Sequence, residues 1–112
     1  MTKVIYYITS SGDNPFDKFL DSLSEQQQRK ILRILTNIKV YGLTTAIPHI
    51  KKLIGTPFWE IRILGQDNIR VFYAVLLKDS ILVIHGFTKK SQKTPFREIK
   101  TAMDRLNDWL DK

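Results

Sequence analysis

Three short apolar runs stand close together in the second half of the chain, at residues 58–64, 69–77 and 81–88, and they leave little choice of fold. Each is rich in β-branched and aromatic side chains, the composition of a strand. The separators, residues 65–68 (GQDN) and 78–80 (KDS), are long enough only for turns. Strands joined so tightly pair antiparallel, because a parallel return needs a crossover of a dozen residues or more. The expectation is a three-stranded antiparallel meander around which the rest of the chain folds.

The flanking segments supply a further strand and three helices. Residues 3–8 (KVIYYI) read as a strand, ended by SSGDN. Asn14 is placed to cap a helix that begins at Pro15, where a missing N–H costs nothing. Phe16, Phe19, Leu20 and Leu23 then recur at helical spacing. Ser24 and Gln27 form the signature of a capping box for a second helix. Ile31, Leu35 and Ile38 line its apolar side, and Gly42 is a natural terminator. Residues 43–57, with Pro48, Gly55 and Pro57, read as a loop. Thr94 and Pro95 open a last helix with an apolar stripe of Ile99, Ala102, Met103, Leu106, Trp109 and Leu110. With 112 residues there is room for one domain, residues 1–112. The expected architecture is α+β, an antiparallel sheet with helices on one face, in the order β-α-α-β-β-β-α.

Charge narrows the function. The chain carries a net +7, unevenly placed. Residues 1–28 hold two basic and four acidic residues, whereas residues 29–112 hold sixteen and seven. Between His85 and Lys100 there are five Lys or Arg and one acid, Glu98. Such a region attracts a phosphate polymer or an acidic protein, or is simply a solvated basic face. Cysteine is absent, which excludes disulfides and thiolate metal sites. No signal-peptide pattern and no apolar run near the roughly 18 residues of a membrane span is present, so a soluble cytoplasmic protein is expected. The two histidines, His49 and His85, have no carboxylate at ligand spacing, and no glycine-rich phosphate loop or nucleophile elbow occurs; no metal or cofactor is expected.

Strand alternation sharpens the basic set. Trp59, Ile61 and Ile63 share one side of their strand, which belongs against the helices, so Glu60 and Arg62 should point to an uncovered face. Arg70 opens the next strand, near Arg62 across the hairpin. Lys89 and Lys90 follow the last strand, with Lys93 and Arg97 beyond and Lys51–Lys52 in the loop before the meander. Guanidinium groups suit bidentate phosphate recognition, and lysines contact backbone phosphates without reading bases. An Arg62–Glu60 ion pair is the competing reading for Arg62. His85 is a possible acid or base near neutral pH, yet it shares the parity of Ile81, Val83 and Phe87, which suits a structural role. Tyr73 could stack on a base, but its parity with Val71 and Val75 favours core packing.

The chain also resembles a known group. The stretches NPFDKFLDSL, IKKLIGTPFWEIRIL, NIRVFYAVL and HGFTKKSQKTPFREIKTAMDRL follow, in order, the pattern of toxins of bacterial toxin–antitoxin systems in the RelE/ParE superfamily, nearest the HigB-like, phage-derived branch. The resemblance implies a RelE-like fold and a metal-independent endoribonuclease that cleaves mRNA, often on the ribosome, and inhibits translation. It implies a cognate antitoxin, often carrying a helix-turn-helix DNA-binding domain, in a hetero-oligomeric complex. Carried over by position, it makes Arg62, Arg70, Lys89 and Lys90 the catalytic cations, with Lys51, Lys52, Lys93 and Arg97 as RNA contacts. Some RelE-like enzymes place a tyrosine shortly after the last basic motif; here the tyrosines are Tyr6, Tyr7, Tyr41 and Tyr73, so the general base is left open between a lysine and His85, unless the ribosome does the positioning. The same superfamily contains ParE-type toxins that poison DNA gyrase by protein contact, and a non-catalytic antitoxin-binding domain is a third possibility.

Overall fold

A computed structural model describes residues 2–63, 68–77, 79–90 and 94–111. The elements are β1 (Lys3–Tyr6), α1 (Pro15–Asp21), α2 (Glu25–Tyr41), a 3₁₀ segment (Leu43–His49), β2 (Ile50–Lys52), β3 (Phe58–Ile63), β4 (Ile69–Val75), β5 (Ser80–Thr88) and α3 (Phe96–Leu110). The local signals act as their chemistry dictates. Asn14 accepts a hydrogen bond from the Asp17 N–H at 3.0 Å and caps α1. Ser24 and Gln27 close a reciprocal capping box at the start of α2. Gly42 ends that helix at φ 94°, a conformation that a Cβ disfavours.

The five strands form one sheet in the order β1-β5-β4-β3-β2. The meander β3-β4-β5 is antiparallel, with Arg62 directly opposite Arg70. Two strand placements differ from expectation. β1 lies parallel to β5, with Lys3 beside Ser80 and Tyr6 beside Val83, so the sheet is mixed. The α1–α2 hairpin and the meander together form the long crossover that parallel pairing requires. Within the stretch expected to be loop, Ile50–Lys52 pairs with β3 as a short edge strand.

The layering also differs, because the helices cover both faces of the sheet. One core joins Phe16, Leu20, Ile31, Leu35 and Ile38 of the α1–α2 hairpin to Ile61, Ile63, Val71, Tyr73, Ile81 and Val83. A second joins Ala102 and Leu106 of α3 to Phe58, Phe72, Ala74, Leu82, Ile84 and Phe87. The physical reason is that β3–β5 are apolar on both parities, which a sheet tolerates only when both faces are buried. The face carrying Glu60 and Arg62 is therefore partly covered by α3, and Glu60 is only 3% exposed. Leu110, assigned to the apolar stripe of the last helix, is 64% exposed instead. The α+β class, the three helices and the central meander stand as expected, and the arrangement is compatible with a RelE-like fold.

A register shift interrupts the pairing of β4 with β5. Phe72 pairs with His85 while Tyr73 pairs with Val83, so one residue, Ile84, is extra. A bulge of this kind re-aims every side chain beyond it. His85 and Phe87 leave the side of Ile81 and Val83 and join that of Phe72 and Arg70. Gly86 in turn faces α1, where a Cβ would stand 2.4 Å from the Phe19 ring.

Candidate functional site

The α3-bearing face of the sheet gathers four of the eight expected cations at one end. Arg62 and Arg70 are cross-strand partners, and Phe87 stands opposite Arg70 on the next strand. Lys89 follows β5 and donates its backbone N–H to Asn68 O at 2.7 Å, which ties the exit of β5 to the entry of β4. Lys90 comes next and is exposed. Arg62, Arg70 and the start of the Lys89–Lys90 segment thus meet at the end of the sheet where β3 and β5 finish and β4 begins.

Two like charges directly opposite on a sheet repel. Glu60 relieves this pair from a diagonal position. Its Oε1 lies 3.4 Å from Arg70 Nε, and its Oε2 accepts a hydrogen bond from the Thr94 hydroxyl at 3.1 Å. Thr94 is therefore not the cap of α3, which begins after Pro95 without a side-chain cap. It fastens the segment between β5 and α3 to the sheet. One Arg70 terminal nitrogen donates to the Ile69 carbonyl at 3.1 Å. The Nε atoms of Arg62 and Arg70 are both buried and make no hydrogen bond among the described residues. The Arg62–Glu60 ion pair of the competing reading is not seen among the described residues; Glu60 pairs with Arg70 instead.

His85 sits beside this cluster in a second network. Its Nε2 lies 2.8 Å from Glu98 Oε1 and its Nδ1 lies 3.0 Å from a terminal nitrogen of Arg105. Arginine only donates, so Nδ1 accepts and the proton resides on Nε2, which donates to Glu98. The Arg105 group also bonds the Ile84 carbonyl at 3.0 Å. Burial, reinforced by Arg105, holds the His85 pKa below its ordinary 6.5 despite Glu98. The imidazole is neutral with both nitrogens engaged. It joins α3 to the sheet while facing the site, rather than pointing into the first core as its parity suggested.

The remaining expected residues are dispersed. Lys51 is exposed on β2, paired with Glu60. Lys52 donates to the Thr56 and Phe58 carbonyls and lies 5.9 Å from the Trp59 ring centre, so it braces its own loop. Arg97 is exposed on α3, its Nε 3.6 Å from Glu98 Oε2. Lys93 lies outside the described residues. Tyr73 belongs to the first core, where burial pushes its pKa up to about 12. Thr94, Glu98 and Arg105 were not expected in the site, and Glu60 was expected there only as an ion-pair partner of Arg62. Thr94 and Glu60 are 34 residues apart and His85 and Arg105 20 apart, separations at which sequence spacing carries no signal.

Among the described residues no group of three or more His, Cys, Asp or Glu could hold a metal ion, and no helix is long and apolar enough to cross a membrane. The arrangement can bind an anion at the arginine pair, with lysines at the rim. Residues 18–107 match the family described as phage-derived protein Gp49-like (DUF891), a span that holds every side chain of this site. No curated protein matches the chain.

Proposed function

We propose that this chain, which belongs to the Gp49-like family of phage-derived proteins known as toxins of toxin–antitoxin systems, is a RelE/HigB-like toxin that cleaves mRNA. One observation carries the reading. Arg62 and Arg70 face each other directly, and among the described residues the one carboxylate ion-paired with either is Glu60, on Arg70. Two guanidinium groups on directly opposed residues suit bidentate contact with the anionic oxygens of a phosphodiester.

In this reading the arginine pair grips the scissile phosphate and stabilises the charge that builds on it in the transition state. The ribose 2′-oxygen attacks the adjacent phosphorus, the bond to the 5′-oxygen breaks, and the products are a 2′,3′-cyclic phosphate and a 5′-hydroxyl. Lys89 or Lys90 protonates the departing oxygen. His85 offers no free lone pair and Glu60 is buried with both oxygens engaged, so the 2′-hydroxyl proton passes to whichever of Lys89 and Lys90 does not protonate the departing oxygen. The reaction needs no metal, and the ribosome presents the codon. A cognate antitoxin holds the toxin inactive between inductions, in a hetero-oligomer.

The test is to express the chain without its antitoxin and map mRNA 5′ ends. New 5′-hydroxyl ends inside translated codons are expected. Intact mRNA together with gyrase–DNA breaks would instead place the chain among gyrase poisons.

A further inference from the structure

A second basic surface lies on the opposite side of the molecule, on α2. Gln26, Arg29, Lys30 and Arg33 line a crevice of about 420 Å³. Lys30 and Arg33 also border a second crevice of about 200 Å³, closed by Ile34, His49 and Ile63. The two crevices are neighbours along the shared Lys30–Arg33 wall, and together they make a basic groove between α2 and the end of β3. Arg29 and Arg33 are one helical turn apart and project along the same wall. Among the described residues none of the lining side chains is acidic. Arg29 does approach Glu25, but at 3.8 Å with both side chains largely exposed, a contact worth little in water.

Two features separate this groove from an ordinary solvated helix face. The first is His49, whose Nδ1 is buried with no hydrogen-bond partner among the described residues and which borders the groove beside Lys30 and Arg33. The second is position. Ile63, the groove's far end, directly follows Arg62 on β3. Alternation along the strand sends Arg62 to the α3 face and Ile63 to the α2 face. The groove and the arginine pair thus reach the same end of one strand from opposite sides.

We infer that the α2 groove is a second polyanion site, which takes the phosphodiester backbone of the RNA flanking the segment held by Arg62 and Arg70. The inference rests on the ribonuclease reading for which strand is bound, though not for the binding itself. Lysine and arginine at fixed spacing read phosphates and not bases, so the groove adds affinity and salt dependence without sequence preference.

The test uses the purified chain and a fluorescein-labelled, 2′-O-methylated single-stranded RNA, which binds but cannot be cleaved. Dissociation constants are measured by anisotropy across a salt series. The variants are Arg29→Gln/Arg33→Gln, with Lys3→Gln/Lys39→Gln as a control that removes equal charge from exposed positions outside the groove. Two lost phosphate contacts should flatten the log–log salt slope by about 1.4 for a single strand. Affinity at low salt should fall by about tenfold, and the control should change neither by much. Arg29→Lys/Arg33→Lys should restore the slope, which separates lost charge from lost folding. An unchanged slope in the Arg29/Arg33 variant, or an equal loss in the control, overturns the groove. So does a variant that binds RNA normally but loses its hold on the antitoxin, which would make the groove a protein-docking surface. If Arg62→Gln/Arg70→Gln still cleaves RNA while Arg29→Gln/Arg33→Gln flattens the slope, the catalytic reading fails and the groove stands.

Discussion

Glu60→Gln isolates the electrostatics of the arginine pair. The substitution keeps the size of the side chain and leaves an amide oxygen for the Thr94 hydroxyl, but removes the negative charge 3.4 Å from Arg70 Nε. At that distance two unit charges attract by about 5 kcal/mol for an effective dielectric of about 20. Part of this is offset, because the variant no longer has to desolvate a carboxylate. What remains is an uncompensated guanidinium whose side chain is 14% exposed, directly opposite a second guanidinium. Breaking one partner of a buried pair costs about 3–5 kcal/mol, and the residual exposure of Arg70 brings the expected loss to about 2–3 kcal/mol. Domains of this size hold about 5–15 kcal/mol in all, so the variant folds but is visibly weakened. The loss should shrink in inorganic phosphate, which can sit between the arginines. At ten times its dissociation constant, phosphate returns about 1.4 kcal/mol. Urea denaturation with and without phosphate, at constant ionic strength, reads both effects. A loss under about 0.5 kcal/mol, or a phosphate effect no larger than in the parent, would show that Glu60 does not balance the pair.

Two further outcomes are expected from the fold. Gly86→Ala places a Cβ 2.4 Å and 2.6 Å from two atoms of the Phe19 ring and 3.1 Å from Phe16, so it should destabilise the chain by about 1–3 kcal/mol through overpacking; an unchanged thermal midpoint contradicts this. His85 is neutral in the fold with a lowered pKa, so the unfolded chain binds its proton more readily, and stability should be full above pH 6.5 and fall as the pH drops below it. His85→Gln should flatten that fall in urea midpoints taken between pH 7.5 and 5.5, and an identical pH profile for both proteins refutes the assignment.

Much of this was legible in short-range chemistry. Turn lengths gave the meander, and with it the Arg62–Arg70 pairing. Asn14, Ser24, Gln27 and Gly42 marked helix ends because capping is settled within a few residues. What escaped is non-local. β1 pairs in parallel with a strand almost eighty residues away, and no local signal could announce it. The second buried face was written in Phe58, Phe72, Leu82 and Ile84, but alternation shows two apolar parities without saying which helix covers each. The bulge at Ile84 reversed His85 because period-2 reasoning fails at the first extra residue. The Glu60–Thr94 and His85–Arg105 contacts exist only once α3 has docked.

In the proposed function the arginine pair holds the phosphate that is cut. The most direct test compares single-turnover mRNA cleavage on programmed ribosomes by the parent chain and Arg70→Ala. Loss of one such transition-state contact should slow cleavage by about 10²-fold or more while ribosome binding persists. Cleavage at the parental rate by Arg70→Ala would contradict the account.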